Sequence, residues 1–170
     1  MKRYQGPAPH SNSQDKNISM QLISIVESPI GTIGIKLQDS AITEIVLLPE
    51  DLTTCKQDGV KPVIKALKDY FSNPHATFAL PLQPAGTDFQ KRVWRALCDI
   101  PAGTTLTYGQ LASKLKTSAR AVGQACRRNP IPIIIPCHRV TSATGPGGYM
   151  GESSGALADI KQWLLRHESR

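Results

Sequence analysis

Three prolines around a run of isoleucines restrict the fold of this 170-residue chain more than any other feature of its sequence. Pro130, Pro132 and Pro136 exclude a continuous helix, because proline lacks a backbone N–H and fixes its own φ. We therefore expect segment 129–140 to follow an extended path, with the isoleucines at 133–135 buried. The chain would leave this apolar stretch on a stiff support.

The residue that this support carries is a cysteine, Cys137, followed by His138 and Arg139. Chemistry on a thiol needs the thiolate, which is only a few per cent of a free cysteine at neutral pH. A nearby base or positive charge lowers the thiol pKa. Neighbouring side chains of an extended chain point to opposite faces, so a water is expected to bridge His138 and the sulfur. A reactive thiol and a packed core cysteine both stay open as interpretations.

The C-terminal half is predicted to be mostly helical. Capping boxes at 87–90 and 107–110 mark two helix starts, because each pairs a threonine with a glutamine three residues later. The proline and glycine at 101–103 end the first helix. A three-residue turn, 116–118, then separates the second helix from a third helix at about 119–128.

The third helix has two faces. Small and apolar residues share one side, and polar residues share the other: Arg120, Gln124, Arg127 and Arg128. A short helix, a tight turn and a second helix with a basic outer face are typical of a helix-turn-helix that contacts DNA. The alternative is an ordinary helical hairpin with a solvated charged face.

Charge is distributed unevenly along the chain. Residues 1–85 contain 8 Lys+Arg and 8 Asp+Glu, whereas residues 86–170 contain 12 and 5, so the net charge of +7 lies in the C-terminal half. A basic half beside a neutral half suggests a polyanionic partner for the basic half. A basic surface with no such partner is the alternative.

The N-terminal half is predicted to be α/β. Segments 21–27, 32–37 and 42–48 are rich in β-forming residues and are joined by short turns, which favours an antiparallel meander. A helix should cover one face of that sheet, because apolar residues recur at helical spacing: Val63, Ile64, Leu67, Tyr70 and Phe71.

We divide the chain into a flexible tail (1–18), an N-terminal α/β domain (19–85) and a mainly α C-terminal domain (86–170). No stretch approaches the roughly 20 apolar residues of a membrane helix, and the polar tail does not suggest a secretory signal. The four cysteines form no C-x-x-C pair. This pattern fits free thiols in a reducing compartment.

A glycine-rich loop at 144–151 follows the cysteine segment, and its backbone could approach a ligand closely. Its spacing does not match a phosphate-binding loop, so we interpret it as a pocket wall with exposed N–H groups. The last helix, at about 155–167, ends beside Glu168. An acid at this end opposes the helix dipole. Glu168 is therefore either a frayed terminal charge or a carboxylate that orients an imidazole.

Taken together, these residues resemble the O6-alkylguanine-DNA alkyltransferase family. The resemblance is close over 86–168 and extends to 20–85 only in the order of strands and helix. It depends on several motifs in one order: Phe89-Gln90 with Val93-Trp94, Gly103 to Ala112, Arg120-Ala121-Val122-Gly123, Asn129-Pro130, Pro136-Cys137-His138-Arg139-Val140, and Trp163-Leu164-Leu165 with Glu168. It implies a ribonuclease-H-like N-terminal domain and a winged-helix-like C-terminal domain with a helix-turn-helix.

The resemblance also implies catalytic roles. Cys137 would accept the alkyl group irreversibly, once per molecule. His138 would act as general base through a water, and Glu168 would hold His138. Tyr108 would donate a proton or hydrogen bond to the leaving guanine, and Asn129 would fix the turn between the third helix and the cysteine segment.

Binding roles follow from the same resemblance. Arg120 would enter the duplex in place of the flipped nucleotide, and the helix-turn-helix would lie in the minor groove. The implied DNA-binding residues are Arg120, Ala121, Gln124, Arg127, Arg128 and Thr107. The implied substrate pocket comprises Tyr108, Val140, Tyr149, Met150 and Pro132, with Val140 acting through its carbonyl and Met150 through its backbone N–H.

The implied partner is double-stranded DNA that carries O6-alkylguanine, with O4-alkylthymine as a second lesion. We expect no cofactor, no metal, no obligate protein partner and a monomer in the cytoplasm, associated with the nucleoid if the source is bacterial. Two features depart from the family. Residues 1–54 hold no Cys and one His, His10, so the zinc site of some members is absent. Met150 stands where many relatives have a small polar residue.

Three other classes of protein account for these residues less well. Alkyltransferase-like proteins bind lesions without the acceptor cysteine, which Cys137 argues against. A cysteine hydrolase would leave the helix-turn-helix unexplained and lacks an identifiable oxyanion site. A transcription factor would leave the glycine-rich loop and Glu168 without a role.

Overall fold

The computed structural model describes residues 24–49 and 59–170. The expected tail at 1–18, the start of the first predicted strand and Cys55 lie outside these residues. The described chain contains a small antiparallel sheet, a two-stranded parallel pair and five α-helices, which together form an α/β fold.

The antiparallel meander predicted for the N-terminal half is confirmed. β1 (Ser24–Ser28), β2 (Gly31–Gln38) and β3 (Ala41–Leu47) lie in the order β1-β2-β3. Ile33 and Ile35 of β2 are fully buried, as their alternation predicts. A register shift between Lys36 and Leu37 then interrupts this alternation.

Helix α1 (Val60–Ser72) packs against this sheet with the apolar face that its periodicity predicts. Its buried residues are Val60, Val63, Leu67 and Tyr70. A backbone hydrogen bond from Ile45 N to Pro130 O, at 2.8 Å, links the two halves of the chain. The buried apolar residues of both halves also form a single hydrophobic core.

The C-terminal half begins with α2 (Asp88–Cys98), β4 (Leu106–Thr107), α3 (Tyr108–Leu115) and α4 (Ala119–Arg127). Both predicted capping boxes are present, at the starts of α2 and α3. Residues 116–118 form the predicted turn. It begins with Lys116 in the left-handed region (φ 52°), and Ser118 accepts a hydrogen bond from the backbone of α4.

The extended path predicted for segment 129–140 is wrong. The chain turns back on itself, because Ile135 N donates to Ile131 O at 2.9 Å. Residues Cys137–Arg139 then form a 3₁₀ turn, which leads into β5 (Val140–Thr141) beside β4. The prolines exclude an α-helix here, but they permit tight turns, and Ile133 takes φ 74° to complete this one.

The last element is α5 (Ala156–Glu168), which contacts the 3₁₀ turn. Its final residue is therefore Glu168, one position beyond the predicted end of the helix. Within residues 24–49 and 59–170, no helix combines the length and apolar character needed to cross a bilayer.

Candidate active site

The Cys137 thiol lies at the start of the 3₁₀ turn and is 3% exposed. Asn129 Nδ2 lies 3.2 Å from its sulfur and donates to it. The same amide donates to Ile135 O at 2.8 Å, and Asn129 Oδ1 accepts from Ile131 N at 3.0 Å. This buried side chain thus links both ends of the turn and contacts the sulfur, which agrees with the fixing role predicted for Asn129.

Glu168 lies behind this turn and accepts several hydrogen bonds. His138 Nε2 lies 2.8 Å from its Oε1, and Arg139 contacts both carboxylate oxygens, each at 2.9 Å. Tyr70 Oη donates to Oε1 at 2.8 Å, and Gly103 N is 3.4 Å from Oε2. Glu168 is therefore a buried, fully engaged carboxylate and not a frayed helix end.

These contacts favour an ionised Glu168 beside a neutral His138. Burial opposes ionisation of Glu168, but the hydrogen bonds from His138 and Arg139 outweigh it and hold the carboxyl pKa well below its usual range. Burial lowers the pKa of His138, although Glu168 acts in the opposite direction. An ionised carboxylate only accepts hydrogen bonds, so Nε2 of a neutral His138 carries the proton.

The other imidazole nitrogen, His138 Nδ1, is then an unprotonated acceptor. It is buried and has no hydrogen-bond partner among the residues that the structure describes. A neutral imidazole with one nitrogen held by a carboxylate and the other free to accept a proton has the form of a general base.

Burial raises the pKa of the Cys137 thiol, whereas the Asn129 hydrogen bond and the Lys161 charge act in the opposite direction. The resting sulfur is therefore a protonated thiol. Deprotonation must accompany its reaction, which gives the base at His138 a task.

A pocket of about 200 Å³ opens onto Cys137, which is smaller than the sites that enclose drug-sized ligands. Helices α3 and α4 form one side, and the glycine-rich loop forms the other. Its lining comprises Tyr108, Gly123, Cys126, Arg127, Cys137, Gly148, Tyr149, Met150, Gly151, Glu152 and Ser153. Three predicted pocket residues, Tyr108, Tyr149 and Met150, are therefore among those that line it.

Pro132 and Val140 are not part of this lining, which corrects two predicted pocket residues. Pro132 is buried because segment 129–140 turns inward, and the Val140 carbonyl accepts a hydrogen bond from Lys161 Nζ at 2.7 Å.

Two tyrosines flank the thiol. Burial, followed by the nearby Cys126 and Cys137, raises the pKa of Tyr108 to about 12, so its hydroxyl remains a donor. The Tyr149 hydroxyl makes no regular hydrogen bond within the described chain, yet it lies near enough to Cys137 for each group to shift the other's pKa.

Lys161 is a site residue that the sequence interpretation missed. It is fully buried in α5, and its Nζ donates to Val140 O and to Gly148 O at 3.0 Å. Burial lowers the pKa of Lys161, against the opposing influence of the two cysteines. The available signal was its position, four residues after Leu157 and three before Leu164, on the core-facing stripe of the helix.

The outer face of α4 agrees only in part with the predicted set. Arg120, Gln124 and Arg128 are exposed, as expected. Arg127 is exposed too, but its guanidinium packs against Gly151, where a Cβ would lie 2.7 Å from Arg127 Nε. Arg127 therefore also forms the rim of the pocket.

The two remaining predicted DNA-binding residues are less accessible. Ala121 and Thr107 are half-buried, and the Thr107 hydroxyl accepts a hydrogen bond from Gln110 N. Among the described residues, no group of three His, Cys, Asp or Glu side chains could hold a metal ion.

Residues 88–170 match the family model described as 6-O-methylguanine DNA methyltransferase, DNA binding domain. Two relatives are methylated-DNA–protein-cysteine methyltransferases. That of Methanosarcina mazei is 42% identical over 154 residues, which cover 85% of this chain and 94% of the relative. The constitutive protein of Bacillus subtilis is 34% identical over 161 residues, which cover 88% of this chain and 96% of the relative.

Solved structures agree with these relatives. The Mycobacterium tuberculosis O6-methylguanine methyltransferase superposes with a TM-score of 0.76 at 35% identity, over 87% of this chain and 92% of that one. A structure of the M. tuberculosis protein in complex with DNA superposes with a TM-score of 0.74 at 35% identity, over 86% of this chain and 92% of that one. By sequence and by fold, this chain belongs to the O6-methylguanine-DNA methyltransferase family.

Proposed function

We propose that this protein repairs DNA by transferring the alkyl group of O6-alkylguanine to its own Cys137. The observation that carries this proposal is the arrangement around one thiol, which lines a pocket and is followed directly by a neutral histidine held by a buried carboxylate. A transferred alkyl group leaves a thioether, which neither water nor thiols reverse. Each molecule therefore repairs one lesion.

The chemical step uses the polarity of this site. A water relays the Cys137 proton to Nδ1 of His138 while the sulfur attacks the alkyl carbon. The S–C bond forms as the C–O6 bond breaks, and the electron pair of the broken bond stays with the guanine. The Tyr108 hydroxyl donates a hydrogen bond or proton to the departing base, a role that its raised pKa supports because the group remains protonated.

Asn129 and Lys161 stabilise the sulfur as it becomes negative. The Asn129 amide already donates to Sγ, and the Lys161 charge favours the thiolate. Buried donors of this kind are most effective where charge develops during the reaction, because they need no rearrangement.

The substrate must leave the duplex to reach this pocket. Flipping a nucleotide costs a few kcal/mol, and less for a badly paired lesion. Arg120 lies exposed in the first turn of α4 and is proposed to occupy the space of the flipped nucleotide. The exposed Gln124 and Arg128 would contact the backbone as α4 lies in the minor groove, where sequence information is poor.

The finer parts of the proposal follow the family. We assign double-stranded DNA with O6-alkylguanine as the partner, and O4-alkylthymine as a second substrate. The protein would act as a monomer without an obligate protein partner. Its N-terminal half would be ribonuclease-H-like, its C-terminal half a winged-helix-like helix-turn-helix, and its location the cytoplasm.

The decisive experiment is to incubate the protein with a duplex that contains one O6-methylguanine and to weigh the peptides after digestion. We expect one methyl group on the Cys137 peptide and none after Cys137→Ser. Cys126→Ser is the matched control, because Cys126 lines the same pocket and should not be needed as an acceptor. Multiple turnover, or a methyl group on another residue, contradicts the proposal.

A further inference from the structure

The hydroxyl of Tyr70 reaches the base machinery from the N-terminal half of the chain. Tyr70 lies on α1, 98 residues before Glu168, and its Oη donates to Glu168 Oε1 at 2.8 Å. That oxygen is also the one that His138 Nε2 contacts, at 2.8 Å. Tyr70 and His138 therefore converge on a single carboxylate oxygen.

The surroundings of Tyr70 hold this hydroxyl in one place. The ring is fully buried, with Phe71, Phe78 and His167 at centroid distances of 5.5, 5.4 and 5.3 Å. Tyr70 O also accepts a hydrogen bond from His167 Nε2 at 2.9 Å. One residue of α1 thus makes two hydrogen bonds to consecutive residues in the last turn of α5.

The carboxylate of Glu168 lies at a helix end, where it needs hydrogen bonds to hold it in place. Glu168 is the last residue of α5, where helices fray and where the helix dipole disfavours negative charge. Burial, followed by the nearby Glu168 charge, raises the pKa of Tyr70. The phenol therefore stays protonated and serves only as a donor to the ionised carboxylate.

We propose that Tyr70 is a positioning residue for alkyl transfer, whose hydroxyl fixes the Glu168 carboxylate that orients His138. This inference rests on the proposed function. It gives a residue of the N-terminal half an indirect role in the reaction, whereas the motifs of the family resemblance all lie in the C-terminal half. Tyr70 is not one of the residues that line the pocket, and it acts through its hydrogen bond to Glu168.

The charges around His138 give the sign of the effect. Glu168 and Lys161 face it from α5, Arg139 adjoins it on the 3₁₀ turn, and Tyr70 reaches its carboxylate from α1. Removal of the Tyr70 hydroxyl leaves the Glu168 charge less compensated, so a protonated His138 is more stable and its pKa rises. The neutral base is then lost at a higher pH.

The test measures the rate of Cys137 methylation by an O6-methylguanine duplex across a range of pH. Tyr70→Phe should slow the reaction about tenfold at its plateau, by analogy with the loss of an outer hydrogen-bond partner from a metal-bound histidine. It should also move the acid limb of the profile upward by about half a pH unit. A 3-fluorotyrosine at position 70, which is a stronger donor, should move that limb downward.

Phe78→Leu is the matched control, because it removes packing from the Tyr70 ring and leaves the hydroxyl in place. Thermal melting and duplex affinity are measured on all variants, and this control should show the wild-type pH profile whatever its melting temperature. An acid limb that does not move in Tyr70→Phe, or that moves equally in Phe78→Leu, overturns the inference. Failure of the wild-type protein to become methylated refutes the proposed function instead.

Discussion

Replacement of Glu168 by glutamine should destabilise the protein far more than the loss of one surface charge. The wild-type carboxylate accepts from His138, Tyr70 and twice from Arg139, and its side chain is 1% exposed. In Glu168→Gln, an amide N–H group would face these donors, and the Arg139 charge, at 11% exposure, would lose its counter-ion. Breaking a buried ion pair in this way costs about 3–5 kcal/mol.

Urea denaturation at pH 7 measures this cost against a total stability of about 5–15 kcal/mol for a typical domain. Glu44→Gln provides the matched control. Glu44 contacts Lys36 at 2.6 Å, but its side chain is 42% exposed, so the loss should stay within about 1 kcal/mol. The reasoning is refuted if the two variants lose similar amounts of stability.

The pH dependence of stability gives a second measure of the same interaction. The pKa of Glu168 is lowered in the folded protein, so its contribution is fully present above the unfolded value of about 4.3 and is lost as pH falls toward the folded value. Wild-type stability should therefore decline below about pH 4, and Glu168→Gln should lack this component of the decline. Parallel stability curves for the two proteins below pH 4 would contradict the assignment.

Three further substitutions separate binding, chemistry and folding. Arg120→Ala should slow repair of duplex DNA much more than reaction with the free base O6-benzylguanine, and equal slowing of both would exclude a role in flipping. Lys161→Met should raise the pH at which Cys137 reacts, and an unchanged pH profile of methylation would refute the electrostatic role of Lys161. The same substitution should lower the free energy of unfolding by about 1–3 kcal/mol, because two buried carbonyls lose their donor. Thr87→Ala should cost about 1 kcal/mol in urea denaturation through its lost helix cap and leave methylation of Cys137 unchanged, and a slower methylation would show that α2 affects the site.

The parts of this fold that follow from local rules could be predicted from the sequence. Alternation and β-forming residues identified β2, β-rich composition identified β3, and helical spacing identified α1. The capping boxes located the starts of α2 and α3, because a cap satisfies backbone groups within three residues. Each of these signals lies inside the element that it predicts.

The segment that carries Cys137 shows where such rules fail. Proline chemistry correctly excluded an α-helix, but it does not distinguish an extended chain from a series of turns. The choice depends on Asn129, whose side chain supplies hydrogen bonds at both ends of the turn. Pro132 and Val140, which the family resemblance placed in the pocket, lie in this segment and are not among the residues that line it.

Polar contacts between residues that are distant in the sequence are even harder to predict from it. Tyr70 has the same periodic position as Val63 and Leu67, so its sequence context marks it only as a core residue of α1. Its hydroxyl acquires a role because folding brings it to Glu168, whose carboxylate offsets the cost of burying that hydroxyl. Lys161 differs, since a lysine on an apolar stripe already requires buried acceptors to offset its desolvation. A lysine at a core position can therefore be recognised from sequence, whereas the role of a tyrosine at such a position cannot, because its ring alone accounts for its burial.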